Sequence, residues 1–174
     1  MTTSRGHYYA GLRQIAAIAN TGLTLRRTCN AAAKIIANSM EMSGCRVLLL
    51  NAKRDYLTTV GSFGLSDLYL RKGPLDARRS LPEVLEGKVA VVQHAPGDAR
   101  LQHPEVAESQ HVESIIAAPI MRKTDMVGEI RVYSRQARVF SEIDEDFLRS
   151  AANICAVLFE RAELSQFRDR VKES

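Results

Sequence analysis

Apolar positions at helical spacing open the chain. Tyr8, Leu12, Ile15, Ala16 and Ala19 share one side of a helical wheel and predict an amphipathic helix over residues 6–20. Asn20, Thr21 and Gly22 interrupt it, and Thr24 is placed to cap a second helix. There Leu25, Cys29, Ala32, Ala33, Ile36 and Met40 form one stripe, and Ser43-Gly44 ends it, glycine suiting the left-handed cap. The period then changes. Residues 46–51 and 56–62 are short runs rich in β-branched residues and leucine, joined by polar Lys53-Arg54-Asp55, and predict a hairpin. Residues 64–81 are a long irregular stretch containing Gly73-Pro74. A helical turn over 82–85 is stopped by Gly87, a third strand covers 89–93, and 96–112 is loop again, with a helical turn after Pro104. Strands over 114–121 and 126–134 make a second hairpin around a polar turn at 122–125. Ser141 caps a last helix running to about residue 170, with Asp144 where a capping-box acid sits.

No internal repeat, low-complexity segment or linker breaks this order, so residues 1–174 read as a single domain with its core at about 10–165. Short hairpins imply antiparallel pairing. The expected class is α/β (α+β): a central antiparallel sheet of five to six strands, its main helices at the two chain ends. Those terminal helices can cover one face, which leaves the two long loops for the other. Long ordered loops in a compact domain are usually functional.

Composition narrows the class further. The chain has 174 residues, 45% hydrophobic and 25% charged, which is globular composition. Its longest apolar run, 115–121, falls far short of the roughly 20 residues a membrane helix needs. The first six residues contain no apolar core before a cleavage site, so no secretory signal is expected. Cys29, Cys45 and Cys155, with no C-x-x-C spacing, read as buried free thiols in a reducing compartment, and the expected location is cytoplasmic. Twenty-four basic against 20 acidic residues leave a net charge of +4, too dilute for a nucleic-acid surface. Only 71–79 concentrates it, with Arg71, Lys72, Arg78 and Arg79 against Asp76; this reads as a solvated surface or a ligand-side loop.

Catalytic patterns are missing. His94, His103 and His111 lack metal-binding spacing, and Gly61-Ser-Phe-Gly64 lacks the lysine and the strand-to-helix setting of a phosphate loop. There is no G-x-S-x-G elbow. Asp144, Glu145 and Asp146 lie at a helix start, where they complement the macrodipole. No nucleophile and base come together in the pattern, so no catalysis is expected, no metal is implied and no cofactor is named.

Four stretches in order carry a family resemblance: Ser62-Phe-Gly-Leu-Ser-Asp-Leu-Tyr-Leu-Arg-Lys-Gly73, Val112-Glu-Ser-Ile-Ile-Ala-Ala-Pro-Ile120, Val127-Gly-Glu-Ile-Arg-Val-Tyr-Ser134 and Phe140-Ser-Glu-Ile-Asp-Glu-Asp-Phe-Leu148. The set resembles the GAF domains of bacterial signalling proteins over about residues 10–165. The resemblance implies strand order 2-1-5-4-3, terminal helices on one face and a ligand pocket on the other. It also implies small-molecule sensing, since relatives bind cyclic nucleotides, bilins, haem or amino acids. The Asn-Lys-x-Phe-Asp-Glu signature of cyclic-nucleotide members is missing, and no cysteine sits in the long loops. The second departure counts against covalent bilin attachment and against free methionine sulfoxide reductase chemistry. No output segment follows in this sequence, so relay through the terminal helices to a protein partner, or through dimer geometry, is expected. The alternatives are a dimerisation or structural module with a vestigial pocket and, behind it, a small redox enzyme of the free methionine sulfoxide reductase type.

Strand alternation supplies the candidate site. Gly128, Ile130 and Val132 take one face, and Glu129, Arg131 and Tyr133 the other. With the implied strand order, Arg46 joins Glu129, Arg131 and Tyr133 as the floor of a site for a small polar or anionic molecule. Residues 64–81 and 94–112 would wall it, with Arg78, Arg79, His94 and His111 as further ligand-binding candidates. A purely structural ion-pair network is the competing reading, because buried charges must be paired. On the last helix Phe147, Ala151, Ile154 and Leu158 form one stripe, and Leu148, Ala152, Cys155, Phe159 and Ala162 a second. One stripe suits the sheet. The other needs a helix, either residues 6–20 or a second copy, and a homodimer through the terminal helices is expected.

Overall fold

Thr24 is extended (φ −62°, ψ 162°), and its hydroxyl accepts from the Arg27 amide at 3.5 Å, which supplies a partner that the first turn of a helix lacks. In the computed structural model, which describes residues 4–172, the helix that follows is α2 (Leu25–Ser39); α1 (Ser4–Ala17) precedes it across a 3-10 turn. The outermost residues of the stretch read as lacking a secretory signal, and both ends of the 1–174 unit, lie outside the described residues. α2 buries Cys29, Ala32, Ala33 and Ile36, the stripe its spacing predicts.

The first hairpin joins β1 (Gly44–Leu50) to β2 (Tyr56–Phe63). Asn51 shapes the turn: its side-chain oxygen accepts from the amides of Asp55 (3.1 Å) and Tyr56 (3.2 Å). The chain then passes through α3 (Asp67–Leu70), β3 (Leu75–Asp76), α4 (Pro82–Leu85), β4 (Ala90–Val92) and α5 (Pro104–Ser109) to the second hairpin, β5 (Ser114–Arg122) and β6 (Asp125–Ser134). It closes with α6 (Glu142–Lys172). The capping box forms at the start of α6: the Asp144 amide donates to Ser141 Oγ at 3.3 Å, and the Ser141 amide to Asp144 Oδ2 at 2.7 Å.

The strands form one antiparallel sheet in the order β3-β2-β1-β6-β5-β4. This differs from the expected 2-1-5-4-3 by a sixth strand at one edge, where Leu75 and Asp76 pair with Leu57 and Tyr56. Two residues are too few to show alternation, so the stretch reads as loop in the sequence. On one face Val47, Ile116, Ile130 and Val132 pack with Cys29, Ile36, Phe147 and Phe159 of the helices. On the other, Leu48, Leu57, Ile115 and Tyr133 pack with Tyr69, Leu81, Val84 and Ala107 of the loop side.

α1 packs on α2 and α6. Tyr8 stacks on Phe147 with ring centroids 4.3 Å apart, and its hydroxyl donates to Asp144. Both apolar stripes of α6 are therefore covered within the chain, apart from half-buried Ile154. The choice left open in the sequence, residues 6–20 or a second copy, falls to α1. What stays exposed on α6 is a different set: Ile143 in the first turn, then Val157, Leu164, Phe167 and Val171. No described helix is long and apolar enough to cross a membrane.

Candidate functional site

Register across β1 and β6 sets Arg46 directly beside Arg131, and Leu48 beside Glu129. Like charges at opposed positions repel, so this pair needs compensation. Arg131 receives it in full. Its Nε donates to Glu129, its Nη1 to Ser80 Oγ (3.0 Å) and its Nη2 to the Ser80 carbonyl (3.1 Å). Burial opposes its charge, and the Glu129 carboxylate more than restores it. Arg131 thus pins the loop before α4, where Leu81 holds a left-handed backbone (φ 54°) with its side chain fully buried.

Arg46 is less satisfied. It is 1% exposed, its Nε donates to Thr59 Oγ1, and its Nη1 has no partner among the described residues. Glu129 Oε2 and the Tyr133 hydroxyl are also buried without hydrogen-bond partners among the described residues. Buried polar atoms are nearly always hydrogen-bonded, so three orphans on one face need explanation. Burial pushes the Tyr133 phenol above its ordinary range. Tyr69 of α3 meets Tyr133 edge to face with centroids 5.2 Å apart, and the Lys72 ammonium lies 3.6 Å from the Tyr69 ring centroid.

The structure brings Arg46, Glu129, Arg131 and Tyr133 together on the loop-covered face. It leaves the other four candidates outside the cluster. Arg78, Arg79, His94 and His111 are all exposed. The backbone amides of Arg78 and Arg79 bond to Asp76, and His94 faces Glu113 at 3.3 Å. Alternation fixes where a strand residue points, and loops have no such period, which is why the sequence does not place these four relative to the cluster. Lys72, Ser80, Thr59 and Tyr69 complete the cluster instead. Lys72 lies within the expected wall 64–81 and within the charge concentration at 71–79, but neither signal singles it out from its neighbours.

Lys72 is the titratable member. Burial, then the Arg46 and Arg131 guanidiniums, lower its pKa to about 7, and Glu105 opposes this. The folded state then binds fewer protons than the unfolded state between pH 7 and the ordinary lysine range. The resulting penalty is complete below pH 7 and fades as pH rises. Urea unfolding should therefore show the wild type gaining stability on Lys72→Met between pH 7 and 9. Equal pH slopes for the two proteins would refute the assignment.

Two cavities of about 10 Å³ each, room for about one water, flank Tyr69, and a wide open hollow of about 490 Å³ lies at residues 91–100. Gly64, Gln110 and Tyr133 border one; Lys72, Ser80, His103 and Arg131 border the other. A hollow of about 500 Å³ lies on the helix side, between the 18–23 turn and α6. One wall of the loop face is fixed by Arg100, which bonds Glu83 (2.6 Å), Asp98 (2.5 Å) and the Val91 carbonyl (3.0 Å). Among the described residues no His, Cys, Asp and Glu group could hold a metal. Cys29, Cys45 and Cys155 lie in the helix-side core, where burial raises all three thiols, Cys29 to about 12.

Solved structures share this architecture. The GAF domain of a phosphoenolpyruvate-protein phosphotransferase from Coxiella burnetii is similar over 92% of this chain and 96% of its own, with TM-score 0.79 and 18% identity. Free methionine-R-sulfoxide reductase from Neisseria meningitidis, solved with its substrate, matches over 91% of both chains at TM-score 0.76 and 18% identity. The phycocyanobilin-bound GAF domain of a cyanobacterial phytochrome matches over 91% of this chain and 96% of its own, at TM-score 0.71 and 17% identity. None of the curated proteins compared matches. The sequence model of the GAF domain matches residues 23–160, well over half the chain, and the chain belongs to that family.

Proposed function

We propose that the chain is a single, non-catalytic sensing domain of the cytoplasm that binds a small polar molecule beneath its loops and relays occupancy through α1 and α6. One observation supports ligand binding above the others: a buried guanidinium on a central strand, Arg46, keeps an unpartnered donor beside a second arginine. Similar folds hold a substrate in the reductase and a bilin in the phytochrome domain. The non-catalytic part rests on the three thiols, which are buried away from the loop face. A thermal-shift screen of small polar compounds tests the reading, because a ligand of the folded state must raise Tm. At least one compound is expected to shift the wild type but not Arg46→Met. If none does, the cluster is a structural network, the reading favoured by the full engagement of Arg131.

Relay through α6 goes with a homodimer. Val157, Leu164 and Val171 recur at seven-residue intervals, with Phe167 between the last two, and each is more than half exposed. This is the spacing of a coiled-coil seam, and its natural partner is the same helix of a second copy. Light scattering at micromolar concentration should give a dimer mass, and Leu164→Glu with Phe167→Glu a monomer. A monomeric wild type would remove the dimer from the proposal.

A further inference from the structure

The charges under the loops do not balance, and the imbalance has a chemical meaning. Three cations meet there: Arg46, Arg131 and Lys72. Glu129 is the buried carboxylate of the cluster, and it is spent on Arg131. Arg46 and Lys72 remain. Arg46 has only a neutral hydroxyl as partner, and Lys72 only the face of Tyr69. Around Lys72 stand Arg46, Arg131 and Tyr69, with Glu105 and His103 toward the surface; those last two face each other at 3.4 Å. The Tyr133 hydroxyl adds one unpartnered donor.

We propose that this cluster recognises a compact organic dianion, a phosphomonoester or a dicarboxylate, bound between Arg46 and Lys72 with Tyr133 as a further donor. The inference rests on the sensing role above and specifies its ligand class. Two unspent positive charges call for two negative ones, and a guanidinium matches the paired oxygens of carboxylate or phosphate. The Tyr69 ring now fills the seat. It lines both one-water cavities and holds the Lys72 charge against its face. Displacing that ring joins the cavities and exchanges a cation–π contact for an ion pair. The lowered pKa of Lys72 agrees with this, because a bound dianion reverses the repulsion from the two arginines and draws a proton onto the amine.

Calorimetry on the full chain at pH 8 tests the proposal, with succinate and glycerol phosphate as the dianions and butyramide and putrescine as neutral and cationic controls. At least one dianion should bind and the controls should not. Which of the two binds separates a dicarboxylate from a phosphomonoester. Lys72→Gln and Arg46→Met should each weaken binding at least tenfold. The binding heat should depend on the ionisation heat of the buffer in the wild type and lose that dependence in Lys72→Gln. Lys72 is only half-buried, so its variant carries the test even if Arg46→Met does not fold. If a neutral or cationic compound binds under the loops and no dianion does, the dianion inference fails and the sensing role stands. If dianions bind with equal affinity to wild type and Lys72→Gln, the site lies elsewhere and the inference fails. If none of the four binds, the dianion inference fails, and the thermal-shift screen decides the sensing role separately.

Discussion

Glu129→Ala is expected to destabilise the fold by about 3–5 kcal/mol, the cost of breaking a buried ion pair from one side. The carboxylate is completely buried and is the anion that neutralises Arg131. Without it, two guanidiniums stand at opposed positions on β1 and β6 with only hydroxyls and a carbonyl for partners. A guanidinium cannot escape by losing its proton. Arg131→Met should cost less, because it also removes one of the two opposed guanidiniums, although the Ser80 anchor is lost. Replacing both by Leu and Met should recover most of the loss, as apolar substitutes for buried pairs do. Urea unfolding of the two single variants and the double gives the coupling energy. A double variant as unstable as Glu129→Ala would show that the carboxylate is held for something other than Arg131.

Gly61→Ala is expected to cost about 3 kcal/mol, the upper end for an overpacked core. A Cβ on Gly61 would lie 2.4 Å from the Cβ of Cys29, 2.7 Å from its carbonyl carbon and 2.8 Å from the Asn30 nitrogen. The last two are backbone atoms of α2, so no side-chain rotation relieves them, and the helix must lift from β2. The same movement breaks the 2.9 Å bond from the Ser62 amide to Asn30 Oδ1. Circular dichroism melts would show the loss as a lowered Tm. An unchanged Tm would mean that α2 shifts on the sheet at little cost.

On the long elements the sequence was enough to place a residue, whereas α3 and β3 lie in the stretch read as irregular and Gly44, read as a helix cap, opens β1. The i, i+3, i+4 stripe of α2, the Ser141–Asp144 cap and the two hairpins all follow from local period and turn chemistry, and alternation along β6 puts Glu129, Arg131 and Tyr133 on one face. Elsewhere the information is long-range. Nothing near Arg131 in the chain indicates that Ser80 is its partner, 51 residues away. Lys72 joins the site because α3 and the turn after it fold back over β6, which no local pattern encodes. Arg78 and Arg79 lie in the same charged stretch and point to solvent. The two apolar stripes of α6 are plain in the sequence; that α1 covers the second depends on the Tyr8–Phe147 stack, an encounter between opposite ends of the chain.

The length of α6 has a mechanical consequence. Near its start the helix is held by Tyr8 and Arg138 through Asp144, and Arg122 grips Glu163 at 2.7 Å; beyond that point its apolar residues lie open. Its 31 residues make a rod of about 46 Å, so a tilt of about 5° at the Ser141 end carries the far end roughly 4 Å. β6, which bears Glu129, Arg131 and Tyr133, runs into the seven-residue connection that feeds this rod. From Asp144 to Glu163 the helix is thus tied to the rest of the domain, and its last nine residues, 164–172, overhang that grip.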